Sequence, residues 1–327
     1  MAFYDLALEE LWSYRPDVRE PSDFDQFWAH TLDEARAVLA DVSVEPVAHP
    51  FETLEVFDMT FPGFGGHPVK AWYSRPAGAD RALPVVVEFV GYGGGRGLPL
   101  DHTFWPSTGV AHVLMDSRGQ GAGWGNGGDT PDPVGSASAA PGFLTRGILD
   151  PHEYYYRRLF TDAVRAVDAA RTLPGVDGTH VVVTGGSQGG AMALAVAGLV
   201  PDLRALMPDV AFLSHFERGV TLTDSDPFAE IRRYLAVHRD RAAQVWDTLS
   251  YFDGVNFSKR ARAPSLWSVA LMDEVVPPST VFAAFNHYGG GTDVDKDMVV
   301  YPYNGHEGGE GHQAQRRVDF VKALLAA

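Results

Sequence analysis

The residues Val181-Val182-Val183-Thr184-Gly185-Gly186-Ser187-Gln188-Gly189-Gly190 pass without a spacer into Ala191-Met192-Ala193-Leu194-Ala195. The β-branched run reads as a strand and the alanine-rich run as a helix, with no residues left over for a loop. The chain must therefore reverse within a few residues. Glycines on both sides of Ser187 remove the side chains that would otherwise clash with the following helix, and they leave one hydroxyl at the apex.

The same rhythm recurs along the chain. Leu83 to Val90 is a continuous apolar run ending in Gly91-Tyr92-Gly93-Gly94-Gly95, and Ala111 to Met115 is another, ending in Asp116-Ser117-Arg118-Gly119-Gln120-Gly121. Near-continuous apolar strands are what a sheet covered by helices on both faces demands. Tyr154 to Leu173 carries Phe160, Val164, Val167 and Ala170 at helical spacing and feeds the strand before Ser187; Ser265 to Leu271 and Met298 to Tyr303 read as further strands, and Val318, Val321, Leu324 and Leu325 mark a closing helix. This alternation predicts an α/β fold with a doubly wound, mostly parallel sheet.

Two regions depart from the rhythm. Residues 1–50 read as an N-terminal helical extension, with Ser22 as a cap before Phe24, Phe27 and Trp28, and Leu54 to Phe61 with Val69 to Tyr73 read as an antiparallel hairpin. From about 205 to 260 a Phe- and Asp-rich stretch holds one helical piece near Phe228 to Trp246, and an insertion there lies over strand ends as a lid or a subunit contact. No repeat or interdomain linker divides the chain, so residues 1–327 read as a single domain.

Composition narrows the chemistry. The absence of cysteine excludes disulfides, a thiolate zinc site and a cysteine nucleophile. A formal charge of −16 disfavours nucleic acid and anionic membranes as partners, and no apolar stretch reaches the ~18–20 residues of a membrane span. The acidic start, Met1 to Glu10, lacks the basic and then apolar pattern of a secretory signal, which leads to the expectation of a cytoplasmic protein.

A serine hydroxyl becomes nucleophilic when a base takes its proton and a third group orients that base. Asp273 lies just beyond the apolar strand ending at Leu271, and His306 lies in the glycine loop Asn304-Gly305-His306-Glu307-Gly308-Gly309. The order Ser, acid, His and the three strand-end positions suit a nucleophile elbow on a parallel sheet. Glu274 and Asp253 are alternative acids, and His312 and His287 alternative bases. The backbone N–H of Tyr92, after an early strand, and that of Gln188, after the serine, are candidates for an oxyanion hole. Arg118 reads as a buried tie between loops rather than a substrate contact.

Together these segments resemble carbohydrate esterase family 7, the acetyl xylan esterases and cephalosporin C deacetylases of the α/β-hydrolase superfamily. The resemblance runs over nearly the whole chain. Its motifs are Gly91-Tyr92-Gly93-Gly94-Gly95, Arg118-Gly119-Gln120, Gly142-Phe143-Leu144-Thr145-Arg146-Gly147, Gly186-Ser187-Gln188-Gly189, Met272-Asp273 and Gly305-His306-Glu307. It implies Ser187, Asp273 and His306 as triad, the Tyr92 and Gln188 amides as oxyanion hole, and Arg118, Gly119 and Gln120 as a structural signature. It further implies deacetylation of xylo-oligosaccharides and cephalosporin C without metal or other cofactor, and a homohexamer built as a dimer of trimers. Val90 stands where many relatives carry histidine, and the segment from Gly289 to Asp297 is longer and more acidic than theirs. The competing readings are a broad-specificity or peptidase-like serine hydrolase and a non-catalytic binding protein of the same fold.

Overall fold

The computed structural model describes residues 3–134 and 142–326. Nine strands form one sheet: β1 (Ser43–Pro46), β2 (Leu54–Pro62), β3 (Pro68–Pro76), β4 (Leu83–Phe89), β5 (Ala111–Met115), β6 (Val176–Gly186), β7 (Ala205–Asp209), β8 (Ser265–Ala270) and β9 (Lys296–Tyr301). Their spatial order is β1-β2-β3-β5-β4-β6-β7-β8-β9. The first three strands and the β3–β5 pair are antiparallel, whereas β5, β4, β6, β7, β8 and β9 run parallel. The predicted doubly wound sheet and the hairpin are both present.

The helices are α1 (Leu8–Ser13), α2 (Phe24–Ala37), α3 (Phe104–Ser107), α4 (Tyr155–Ala170), α5 (Gln188–Leu199), α6 (Phe216–Leu222), α7 (Phe228–Val237), α8 (Ala242–Ser250), α9 (Gly254–Ser258), α10 (Pro278–His287) and α11 (Glu310–Ala326). Alternation along the central strands explains the two helical layers. Val85, Val87, Val181 and Val183 join the larger core with residues of α2, α4, α5, α9 and α10, while Val86 and Val182 join a smaller one with Trp105, Val318 and Val321. Successive strand residues point to opposite faces, so an unbroken run of valine fills both.

Three expectations change on inspection. The N-terminal extension is helical to Ala37, is followed by β1, and begins α2 after Asp23 rather than on a Ser22 cap. The extension is also integral to the core: Trp28 is 1% exposed, stacks edge-on with Phe252 and Phe257, and donates its indole N–H to the Tyr251 carbonyl. The stretch from about 205 to 260 is not one insertion, because β7 belongs to the central sheet and α6, α7, α8 and α9 all place residues in its large core. Finally, α4 is buried nearly all round, and its charged residues end in ion pairs: Arg157 with Glu34, Arg158 with Asp132, and Asp162 with Arg118.

The site follows from the order of strands. Strands β4 and β6 are parallel neighbours, with Phe89 opposite Gly185, but β4 connects onward to β5 on its other side. This reversal is the crevice at strand C-termini where open α/β sheets take ligands. The Gly91–Gly95 loop and Ser187 emerge side by side at it.

Candidate active site

Ser187 has φ 55° and ψ −119°, a left-handed backbone that a non-glycine residue adopts only where its surroundings enforce it. Here the Ser187 N–H donates to the Asp209 carbonyl of β7, and the Ser187 carbonyl accepts from Phe212. The glycines are required by contact: a Cβ on Gly185 would sit 2.4 Å from Gly189, and one on Gly189 would sit 2.1 Å from the Phe89 carbonyl oxygen. Helix α5 thus passes within van der Waals contact of both central strands, and only hydrogen at these positions permits it. Its apolar all-round surface, from Ala191 to Ala197, suits this buried course.

Asp273 follows β8 and His306 follows β9. His306 Nδ1 lies 2.8 Å from Asp273 Oδ2. The other oxygen, Oδ1, accepts the amides of Val275 and Val276 at 2.8 and 2.9 Å, and the Tyr4 hydroxyl donates to the Asp273 carbonyl. Because an ionised carboxylate only accepts, Nδ1 carries the proton and Nε2 is left as the basic nitrogen. Asp273 is 1% exposed and the His306 side chain 31%, so the acid is shielded and the imidazole reaches the cavity.

That cavity, of about 540 Å³, is lined by Ser187, His306, Tyr92 and Trp124 among others. The alternative acids and bases lie elsewhere: Asp253 caps α9 and accepts the amides of His215 and Phe216, and Glu274 is exposed. His287 is held within α10 by the Ala283 carbonyl, and His312 faces outward on α11.

The Gln188 amide is the first of α5, where no helical carbonyl precedes it to accept its proton, so it is available to a ligand. The loop carrying Tyr92 is held from several sides. Gly93 N–H donates to Gln120 Oε1 at 2.7 Å, and the Trp124 indole N–H donates to the Tyr92 carbonyl at 2.7 Å. Gln188 Nε2 donates to the Val90 carbonyl at 3.2 Å. Gln120 and Gln188 pair through both amide groups, at 2.9 and 3.3 Å, and Tyr155 and Tyr156 complete the cluster. The two segments proposed to hold an oxyanion are therefore tied directly to each other.

Arg118 is fully buried and forms two bonds to Asp162, Nη2 to Oδ1 at 2.7 Å and Nε to Oδ2 at 2.5 Å, with Asp132 3.4 Å from Nη1. Asp162 in turn accepts the Phe64 amide, and Gly119 takes φ 68° in the tight turn between Arg118 and Gln120. The motif thus has two jobs: its arginine anchors the hairpin and α4, and its glutamine fixes the oxyanion loop.

Several cavity residues lay outside the sequence reading. Glu88 and His102 line one wall, with Glu88 accepting or sharing a proton with His112 Nε2 at 2.9 Å. Asp209, the last residue of β7, receives Ser268, Gln313 and Arg317. Trp124 is 56% exposed at the rim and lies on Gly91 and Gly94, where a Cβ on Gly94 would meet the indole at 2.4 Å. Asp226 and Pro227, at the entry to α7, also line the cavity. Among the described residues no three His, Asp or Glu side chains converge as a metal site, and no helix is long and apolar enough to cross a membrane.

The family model described as "Acetyl xylan esterase (AXE1)" matches residues 1–324. The acetyl xylan esterase from Paenibacillus sp. R4 superposes with a TM-score of 0.91 at 36% identity, over 97% of this chain and 99% of that one. Acetyl xylan esterase 1 from Thermoanaerobacterium sp. JW/SL YS485 gives 0.89 at 32% identity, over 98% and 99%. Acetyl esterase Axe7A of Xylanibacter ruminicola is 28% identical over 307 residues, or 89% of this chain, and the match spans 65% of that longer relative.

Proposed function

The chain belongs to the acetyl xylan esterase family, carboxylic ester hydrolases of the α/β-hydrolase fold, and from that premise we propose that it removes acetyl groups from short acetylated xylo-oligosaccharides, and from other small acetates such as cephalosporin C, by way of an acyl-enzyme on Ser187. The observation that carries the reading is one cavity shared by a serine on a strained elbow and a histidine oriented by a buried aspartate.

In the proposed sequence, His306 Nε2 takes the Ser187 proton as Oγ bonds to the acetyl carbon, and the carbonyl oxygen gains its charge against the Tyr92 and Gln188 amides. The C–O bond to the sugar then breaks, and the imidazolium returns its proton to the leaving alcohol. Water attacks the acetyl-serine with His306 again as base, which releases acetate and restores Ser187. Asp273 stays ionised throughout, holding Nδ1–H and stabilising the imidazolium.

Substrate range is tested with acetylated xylobiose, a peracetylated hexose, cephalosporin C and p-nitrophenyl acetate and butyrate, compared as kcat/KM. A steep loss from acetate to butyrate with turnover of the acetylated sugars supports the reading, and faster butyrate than acetate hydrolysis contradicts it. We also propose assembly as a homohexamer; light scattering coupled to size-exclusion chromatography tests it, with a mass near that of the monomer as the contrary result.

A further inference from the structure

The loop that carries Tyr92 has one more anchor, on the far side from Gln120. The Tyr92 hydroxyl donates to Glu230 Oε1 at 2.5 Å and accepts the Phe143 amide at 2.5 Å, while Glu230 Oε2 accepts the Leu144 amide at 3.0 Å. Glu230 sits on α7 and is 2% exposed. A Cβ on Gly142 would fall 2.0 Å from Oε1, so the backbone at Gly142, with φ 117°, closes directly over the carboxylate. One carboxylate therefore joins three separate segments: the oxyanion loop, the Gly142–Leu144 turn and the helix whose entry, Asp226–Pro227, walls the cavity.

We propose that Glu230 is a positioning residue for ester hydrolysis, which in its ionised form holds Tyr92, and with it the Tyr92 amide, at the place where the oxyanion develops. The inference rests on the reading of Ser187 as nucleophile and of the Tyr92 amide as an oxyanion donor. Its physical basis is that both oxygens of Glu230 are used as acceptors. Protonation at Oε2 sets a hydroxyl against the Leu144 N–H, and protonation at Oε1 reverses the other bond, so that the Tyr92 oxygen accepts both the acid proton and the Phe143 amide while its own proton loses Glu230; either change removes a charge-assisted hold on Tyr92.

Glu230 does not line the cavity, so it acts on the reaction only through Tyr92. The groups facing it are the Tyr92 hydroxyl from the loop after β4, Asp226 and Arg233 from α7 and its entry, Tyr154 and Tyr156 from α4 and its start, and the amides of Phe143 and Leu144. Arg233 is also paired with Asp226. Burial is the largest influence and pushes the carboxyl up to about 7, against smaller lowering effects of Tyr92 and the Leu144 amide. The carboxylate population thus changes in the range where the enzyme is assayed.

The test is Glu230→Gln, which keeps the size but turns an NH2 toward one donor. At about pH 8, kcat on p-nitrophenyl acetate falls roughly tenfold while KM stays within about twofold, because the lost interaction acts on the oxyanion and not on the bound ester. At about pH 6 the wild-type carboxyl is itself mostly protonated, so the ratio of wild-type to variant kcat shrinks toward one. Tyr92→Phe shows the same pH-dependent loss, and the double variant is no slower than the singles. If Glu230→Gln does not fold, Tyr92→Phe carries the test alone. Wild-type kcat at pH 8, or an equal loss at both pH values, overturns the proposal. Labelling of Ser187 by an organophosphate in the wild type separates this outcome from a failure of the underlying reading: an unlabelled Ser187 overturns that reading itself.

Discussion

The side-chain amides of Gln120 and Gln188 bond to each other reciprocally, Nε2 of each to Oε1 of the other, at 2.9 and 3.3 Å. Gln120 stands after β5 and Gln188 after β6, and through Gly93 and Val90 the pair also holds the intervening loop after β4. Both side chains are buried, so each lost bond strands a partner away from water.

Replacing Gln120 with Ala removes the acceptor of Gly93 N–H and one partner of Gln188. The oxyanion loop keeps its Trp124 and Glu230 contacts and the Gln188 bond to the Val90 carbonyl but loses its tie to Gln120, and kcat should fall about 10- to 100-fold, less than the loss of a complete oxyanion donor. Steady-state kinetics on p-nitrophenyl acetate check this. A kcat within twofold of wild type would mean the pair serves folding alone.

Asp273→Asn is expected to lower kcat by about 10³- to 10⁴-fold with the fold intact. The Asn carbonyl will turn to the Val275 and Val276 amides, since an NH2 there would oppose two donors. Its NH2 then faces His306 Nδ1, which must become the acceptor, and the ring proton moves to Nε2. An imidazole protonated at Nε2 cannot take the Ser187 proton. Turnover within tenfold of wild type would assign the orienting role to another group.

Arg118→Lys should destabilise the protein by about 2–3 kcal/mol. Lysine keeps the charge but is a single point donor, and Asp162 is bound through both oxygens by a fork that a lysine cannot reproduce. Urea unfolding would show a lower midpoint at an unchanged slope, and an unchanged midpoint would contradict the account.

Much of this arrangement was legible in the sequence because each triad residue directly follows an apolar strand. Ser187 stands one residue past β6, Asp273 three past β8 and His306 five past β9, so locating the strands located the residues. Strand β7 leaves no comparable signal, because Pro208 and Asp209 cut its apolar run to Ala205-Leu206-Met207. The periodicity of α4 showed its apolar stripe, but not that Arg157, Arg158 and Asp162 are equally buried, since pairing with Glu34, Asp132 and Arg118 is a tertiary fact. The Tyr92–Glu230 bond spans 138 residues and leaves no local pattern.

Stability should respond to Glu230 in the opposite sense to activity. The carboxyl titrates at about 4.5 when unfolded and is pushed up to about 7 by burial in the folded protein. Between these values the unfolded chain has released its proton and the folded one retains it, so stability falls as pH rises through that window. Glu230→Gln carries no such proton. Its Tm relative to wild type should therefore rise by a few degrees between pH 5 and pH 8, measured by calorimetry; a difference that is constant with pH would contradict the shift.

The most direct measurement of the central claim is the kcat of Ser187→Ala on p-nitrophenyl acetate, with circular dichroism and Tm as controls for folding. Removal of a nucleophile that forms the acyl-enzyme predicts a loss of about 10⁴-fold or more, at an unchanged spectrum. A folded Ser187→Ala protein that retains a tenth or more of wild-type kcat would show that the ester is cleaved without Ser187.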